Sequence, residues 1–200
     1  NYDLIAHPPS TYAQEKLKYG QRAKLAKTFI SNNSLNEFFE GEIEEIGLIV
    51  QGGLYNNLIA ALKEMNMSDS LGNTKISIYV LNIVHPLIPD EVISYAKKFK
   101  ALLVIEEGQP QYIEQELGLL FHKEKIEVSL AGKDVLPMAG EYTSEVIHKG
   151  VFNFIKKYIP DFSNFSNLDY NTEIDQLREK ASSSLGEAVP PRPPGFCTGC

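Results

Sequence analysis

An α/β layered domain on a mostly parallel sheet is the fold class that this sequence predicts, and two observations predict it. Apolar, β-branched runs bounded by turn residues alternate with segments of helical period, the grammar of strand–helix–strand units. The runs opening "IGLIVQ" and "ALLVIEE" are continuously apolar, as expected of parallel strands covered on both faces.

The elements follow in order. A first helix, roughly Tyr12 to Ile30, is charged on most of its surface and is expected outside the sheet or against a partner. The first strand is Ile46 to Gln51, and a Gly-Gly turn leads into a helix from Leu54 to Met65. "KISIYVL", Lys75 to Leu81, alternates more and is placed nearer an edge. A helix from Pro89 to Phe99 has proline at its first position, where the missing N–H costs nothing. Strand Ala101 to Glu107, helix Gln111 to Phe121 and strand Ile126 to Gly132 continue the pattern. Helix Thr143 to Tyr158 closes it, with Val146, Ile147, Val151, Phe154 and Ile155 recurring at three- and four-residue steps on one face. From Pro160 the pattern fails, apart from a short helical hint at Thr172 to Lys180. The rest reads as a linker. Pro190, Pro191, Pro193 and Pro194 form a semi-rigid extended arm that ends in "GFCTGC".

Composition bounds the function. With 43% hydrophobic and 22% charged residues in 200, the chain can bury a core as one compact domain with an appended arm. The net charge is −7 and the lysines are scattered among acids, so an electrostatic case for nucleic acid is missing. No apolar run reaches the ~18 residues of a membrane span, and the amino-terminal stretch lacks the blocks of a signal peptide. A cytoplasmic location is expected. The chain begins with Asn rather than Met, which suggests a piece of something longer.

In such sheets function gathers at the carboxyl edge of the strands. "QGGLYNN", "NIVHPLIP", "EEGQPQY" and "AGKDVLPMAGE" follow the four strands there. Gly52 belongs to a turn that either cradles a phosphate or lets strand and helix pack closely, and it matches neither the dinucleotide fingerprint nor the P-loop. His85, before a proline, is either a hydrogen-bonded loop residue or an acid–base group. Glu106 and Glu107 are adjacent carboxylates after an apolar strand, so one can face the loops and the other solvent or an interface. Tyr55 completes this binding or interface cluster. No Ser-His-Asp order or paired metal-spaced histidines are present, so no catalytic residue is assigned. Cys197 and Cys200 form a single CxxC, half of a tetrahedral metal or cluster site, or a redox pair.

The ordered set "EIGLIVQGGLYNNLIAALKEM", "VLNIVHPLIPDEVISYAKKFKALLVIEEGQPQYIEQEL", "AGKDVLPMAGEYTSEVI" and "PPRPPGFCTGC" resembles the middle of the large subunit of the indolepyruvate:ferredoxin oxidoreductases, a branch of the thiamine-diphosphate-dependent 2-oxoacid:ferredoxin oxidoreductases. The resemblance implies a transketolase C-terminal-like, Rossmann-like unit: three layers, α/β/α, around a mixed, mostly parallel sheet with one antiparallel edge strand, placed at Phe38 to Glu44. It implies three parts: a helical segment over 1–40, the α/β domain over 41–160, and a linker and arm over 161–200 leading into a truncated thiamine-diphosphate-binding domain. The pyrimidine-binding module would precede Asn1.

For the whole enzyme the resemblance implies oxidative decarboxylation of aryl pyruvates such as indolepyruvate to acyl-CoA. Thiamine diphosphate, magnesium and iron–sulfur clusters would be cofactors and coenzyme A a co-substrate, with none of these bound by this segment. Its partners would be the other domains of the subunit, a smaller beta subunit and ferredoxin, with no nucleic acid and no membrane. The family usually reads Cys-Pro-Gly-Cys where Thr198 stands here. The competing reading is a flavodoxin-like or CoA-binding module that recognises a ligand or partner without chemistry.

Overall fold

A computed structural model describes residues 6–69, 71–162 and 170–184. The chain divides into two units, Asn1–Ser166 and Asn167–Cys200. In the first, five strands make one sheet: β1 (Glu37–Phe39), β2 (Ile43–Gln51), β3 (Ile76–Leu81), β4 (Ala101–Ile105) and β5 (Ser129–Ala131). Their order is β1-β3-β2-β4-β5, with β1 antiparallel to β3 and every other pairing parallel. Helices α3 (Tyr55–Glu64) and α6 (Ser144–Tyr158) cover one face, α4 (Pro89–Ala96) and α5 (Tyr112–Glu124) the other. This is a three-layer α/β/α domain with a mixed sheet and one antiparallel edge strand.

The period-2 alternation of the strands divides the core in two. Ile46, Leu48 and Val50 of β2, Ile78 of β3 and Leu103 of β4 face Leu58, Leu62, Val151 and Phe154. Ile49, Tyr79, Leu102 and Val104 face Val92, Tyr95, Leu117 and Phe121. Both faces are dry, which explains why β2 and β4 read as unbroken apolar runs.

The antiparallel strand is shorter than the predicted Phe38 to Glu44, because residues 40–42 must carry the chain around the amino end of β3. Gly41 makes that crossing: a Cβ there would lie 2.4 Å from the carbonyl carbon of Ile76. Its N–H donates to Ser77 Oγ at 2.9 Å, and β2 has begun by Ile43. β3 is second from the edge and fully buried. Its alternation arose from Ser77 and Tyr79, whose polar atoms are bonded rather than solvated. The strand predicted at Ile126 to Gly132 keeps only Ser129–Ala131, since three residues pair with β4 and Lys125, at φ 54°, ends α5 just before it.

The first helix is longer than expected and unbroken, but not uniform. It comprises α1 (Ser10–Leu17), a π-helical turn (Lys18–Arg22) and α2 (Ala23–Asn32), and Ile30 alone of its residues is buried. Among the described residues no helix is long and apolar enough to cross a membrane. In the second unit the short helical hint is a full helix, α7 (Tyr170–Ser184). The proline arm, Cys197 and Cys200 lie outside the described residues.

Tyr95 is the polar pin of the second core. Its hydroxyl reaches the carbonyls of Leu48 (2.9 Å) and Ser77 (2.7 Å) on neighbouring strands, and burial pushes its ionisation far above the ordinary phenol value. Tyr95→Phe should lower unfolding free energy by about 1–2 kcal/mol, read from urea denaturation midpoints, since two buried acceptors lose a partner while the packing is kept.

Candidate functional site

The carboxyl edge of the sheet carries a cavity of about 680 Å3 on the side of α4 and α5. Gln51 ends β2, Val84 and His85 follow β3, Glu106 to Pro110 follow β4, and Tyr112, Ile113, Gln115, Glu116 and Leu119 belong to α5. Three of the five residues picked for the edge, His85, Glu106 and Glu107, therefore line one cavity. Gly52 and Tyr55 do not. Gly52 is held by close approach, because a Cβ would meet Asn82 Oδ1 at 2.6 Å. The Tyr55 ring stacks on Phe39 with centroids 5.3 Å apart, on the opposite side of the sheet, and burial followed by the Glu37 carboxylate raises its hydroxyl pKa.

The two glutamates have different work. Glu106 is buried, and its carboxylate accepts from the N–H of Ile113 (2.9 and 3.0 Å) and of Glu114 (3.1 Å). These are orphan donors of the first turn of α5, so Glu106 caps that helix from the end of β4. Glu107 turns outward. Its N–H donates to Gln51 Oε1 at 2.9 Å and its carboxylate accepts from Tyr142 N–H, which closes the loop over the edge. His85 Nδ1 stands 3.9 Å from a Glu116 oxygen, both side chains being solvent-exposed, too long for a hydrogen bond.

Lys133 and Tyr142 were not singled out in the sequence, yet they lock the loop after β5 to the loop after β4 and to α5. The Lys133 ammonium donates to Glu106 O and to Tyr142 Oη, each at 2.6 Å, and lies 4.5 Å from the centre of the Tyr142 ring. Its backbone N–H donates to Glu114 at 3.0 Å. Burial lowers the Lys133 pKa, opposed by the carboxylates of Glu106, Glu114 and Glu107. Tyr142, fully buried, donates to Pro137 O, and burial together with the same three carboxylates pushes its pKa up to about 12. The visible signal was Lys133 inside a carboxyl-edge loop; what it would reach was not visible.

Chemically, the site offers a hydrogen-bonded rim and an apolar floor. Among the described residues no group of three or more His, Cys, Asp or Glu is placed to hold a metal. The amino end of α5, the one helix end lining the cavity, has its donors taken by a carboxylate. That helix end therefore has no free amide donors for a diphosphate.

Fold and site together define a three-layer α/β domain whose loop cluster is built by structural hydrogen bonds beside an open cavity. No family model matches the chain. It is 27% identical over 170 residues to the indolepyruvate oxidoreductase subunit IorA of Pyrococcus abyssi, covering 84% of this chain and 23% of that protein. The corresponding subunit of Pyrococcus horikoshii matches with the same figures, and that of Methanothermobacter thermautotrophicus is 22% identical over 195 residues. The chain spans about a quarter of the length of these curated relatives, which are oxidoreductase subunits by name. Among solved structures, 2-oxoglutarate:ferredoxin oxidoreductase from Magnetococcus marinus aligns over 76% of this chain and 24% of its own, at 17% identity and a TM-score of 0.44. The similarity to indolepyruvate oxidoreductase large subunits, read from ordered motifs, is thus found by direct comparison.

Two outcomes test the site. Glu106→Ala should cost about 1–3 kcal/mol, with Glu106→Gln in between because its amide oxygen can still accept. Hydrogen exchange should quicken at the Ile113 and Glu114 amides in both. For Tyr142, the folded pKa lies above the unfolded value of about 10, so its contribution to stability is complete below about pH 10 and lost as pH rises toward 12. The difference between wild-type and Tyr142→Phe ultraviolet titrations should show the missing phenol ionising near pH 12.

Proposed function

We propose that this chain is a non-catalytic, interface-forming domain of a thiamine-diphosphate-dependent 2-oxoacid:ferredoxin oxidoreductase. The observation that carries the reading is the 27% identity to IorA subunits over 84% of the chain. In this reading the host enzyme oxidatively decarboxylates aryl pyruvates such as indolepyruvate to acyl-CoA. Its thiamine diphosphate, magnesium and iron–sulfur clusters reside in other parts of the assembly, with Cys197 and Cys200 at the approach to the cofactor module. The other domains, the smaller subunit and ferredoxin are its partners, and the location is cytoplasmic.

The carboxyl edge, with His85, Glu106 and Glu107, is the contact surface, with Gly52 packed against Asn82 and Tyr55 on the opposite side of the sheet. The competing reading is a ligand-binding module at this edge. A phosphate-bearing ligand seated in the cavity at the amino end of α5 would meet the Glu106 carboxylate, which already holds the donors and would repel it. That observation favours the interface.

Calorimetric titration of the purified chain with thiamine diphosphate and magnesium is expected to give no heat of binding. Micromolar binding would overturn the assignment as a non-catalytic domain.

A further inference from the structure

We propose that the helix running from α1 through α2 docks into the carboxyl-edge cavity of a second copy of this chain, two copies exchanging helices about a two-fold axis. The inference rests on reading that edge as a contact surface, and it names the occupant.

The helix is amphipathic in an unusual way. Tyr12, Leu17, Tyr19, Leu25 and Phe29 are between 49% and 69% exposed. Eight residues of ideal α-helix would rotate Leu17 and Leu25 about 80° apart. The wider i→i+5 turn at Lys18–Arg22 winds more slowly and brings them back toward one stripe, with Phe29 one turn further on. Among the described residues, Leu25, Ala26 and Phe29 line one shallow, mostly apolar depression with Thr28, Asn32 and Asn33. An i, i+4 apolar pair of this kind is the usual anchor of a helix laid in a groove.

Charge selects the occupant. Lys16, Lys18, Arg22, Lys24 and Lys27 stand against the single acid Glu15, a net +4 on the helix. The whole chain is −7, so −11 remains on the rest. The positive charge is therefore concentrated where the scattered-lysine reading of the sequence did not place it. The cavity is complementary. Val84, Tyr112 and Leu119, between 41% and 68% exposed, supply apolar surface, and Glu107 and Glu116 stand among them as exposed carboxylates. No residue of the chain's own first helix lines it.

Position makes the exchange reciprocal. The helix is rooted at the same edge as the cavity: Ile83 N–H donates to Asn36 Oδ1 and Asn82 Nδ2 donates to Leu35 O, each at 3.0 Å. These bonds set the helix root beside the loop that carries Val84 and His85. With donor helix and acceptor groove on one edge, a two-fold axis can satisfy both at once, the condition for a closed isologous dimer.

Sedimentation velocity of the chain tests this. A reversible dimer is expected at low salt, dissociating as ionic strength rises and the Debye length shrinks below about 10 Å. Leu25→Glu with Phe29→Glu, and separately Leu119→Glu, should each weaken dimerisation more than tenfold with unchanged circular dichroism. Lys24→Glu with Lys27→Glu in one chain and Glu116→Lys in another should each sediment as monomers. Mixed, they should form a heterodimer, because both contacts then regain opposite charges. A chain monomeric at every concentration, a dimer indifferent to these substitutions, or charge-swapped variants that fail to associate on mixing would overturn the exchange. The thiamine titration tests the interface reading separately, since a monomeric chain that binds no thiamine diphosphate sinks only the exchange.

Discussion

The carboxylate of Glu106, buried at the end of β4 and bonded to the first amides of α5, is the constraint from which the carboxyl edge is built. It fixes where α5 begins, and α5 is one wall of the cavity. An ionised group in an apolar setting is expensive unless bonded and charge-balanced. The helix dipole and the two amides supply one part of that balance, and the Lys133 ammonium, bonded to the Glu106 carbonyl, supplies another. Tyr142 then closes over the lysine, and Glu107 over Tyr142. The loops after β4 and β5 and the start of α5 become one surface through these contacts.

That economy bears on function. A helix amino terminus at a sheet's carboxyl edge is where α/β proteins ordinarily receive phosphate, and here the place is filled by the protein's own carboxylate. What is left open is apolar surface with carboxylates around it, better matched to a cationic, apolar protein segment than to a nucleotide. The same chain carries such a segment in its first helix, where five cations accompany exposed leucines and aromatics.

The fold was largely legible. Each helix of the first unit and each of its parallel strands was located from hydrophobic period and turn residues, because a sheet covered on both faces leaves unmistakable apolar runs. The edge strands were less legible. β1 and β5 pair on one side only and hold three residues each, so their limits are set by neighbours and by crossings such as Gly41, not by pattern. The π turn in the first helix left no readable mark.

Of the candidate site, adjacency along strand ends brought His85, Glu106 and Glu107 to the cavity, since residues that follow parallel strands must emerge at one edge. The same reasoning could not separate them from Gly52, which packs against Asn82, or from Tyr55, which turns to the other face. The sequence by itself determined the α/β alternation, the parallel core and the edge on which polar residues gather, because periodicity is a local property. Only the tertiary structure decided that Glu106 caps a helix, that Lys133 reaches Tyr142, and that the first helix keeps its apolar side chains exposed. Those outcomes depend on the reach of single side chains between segments that meet only when the sheet has formed.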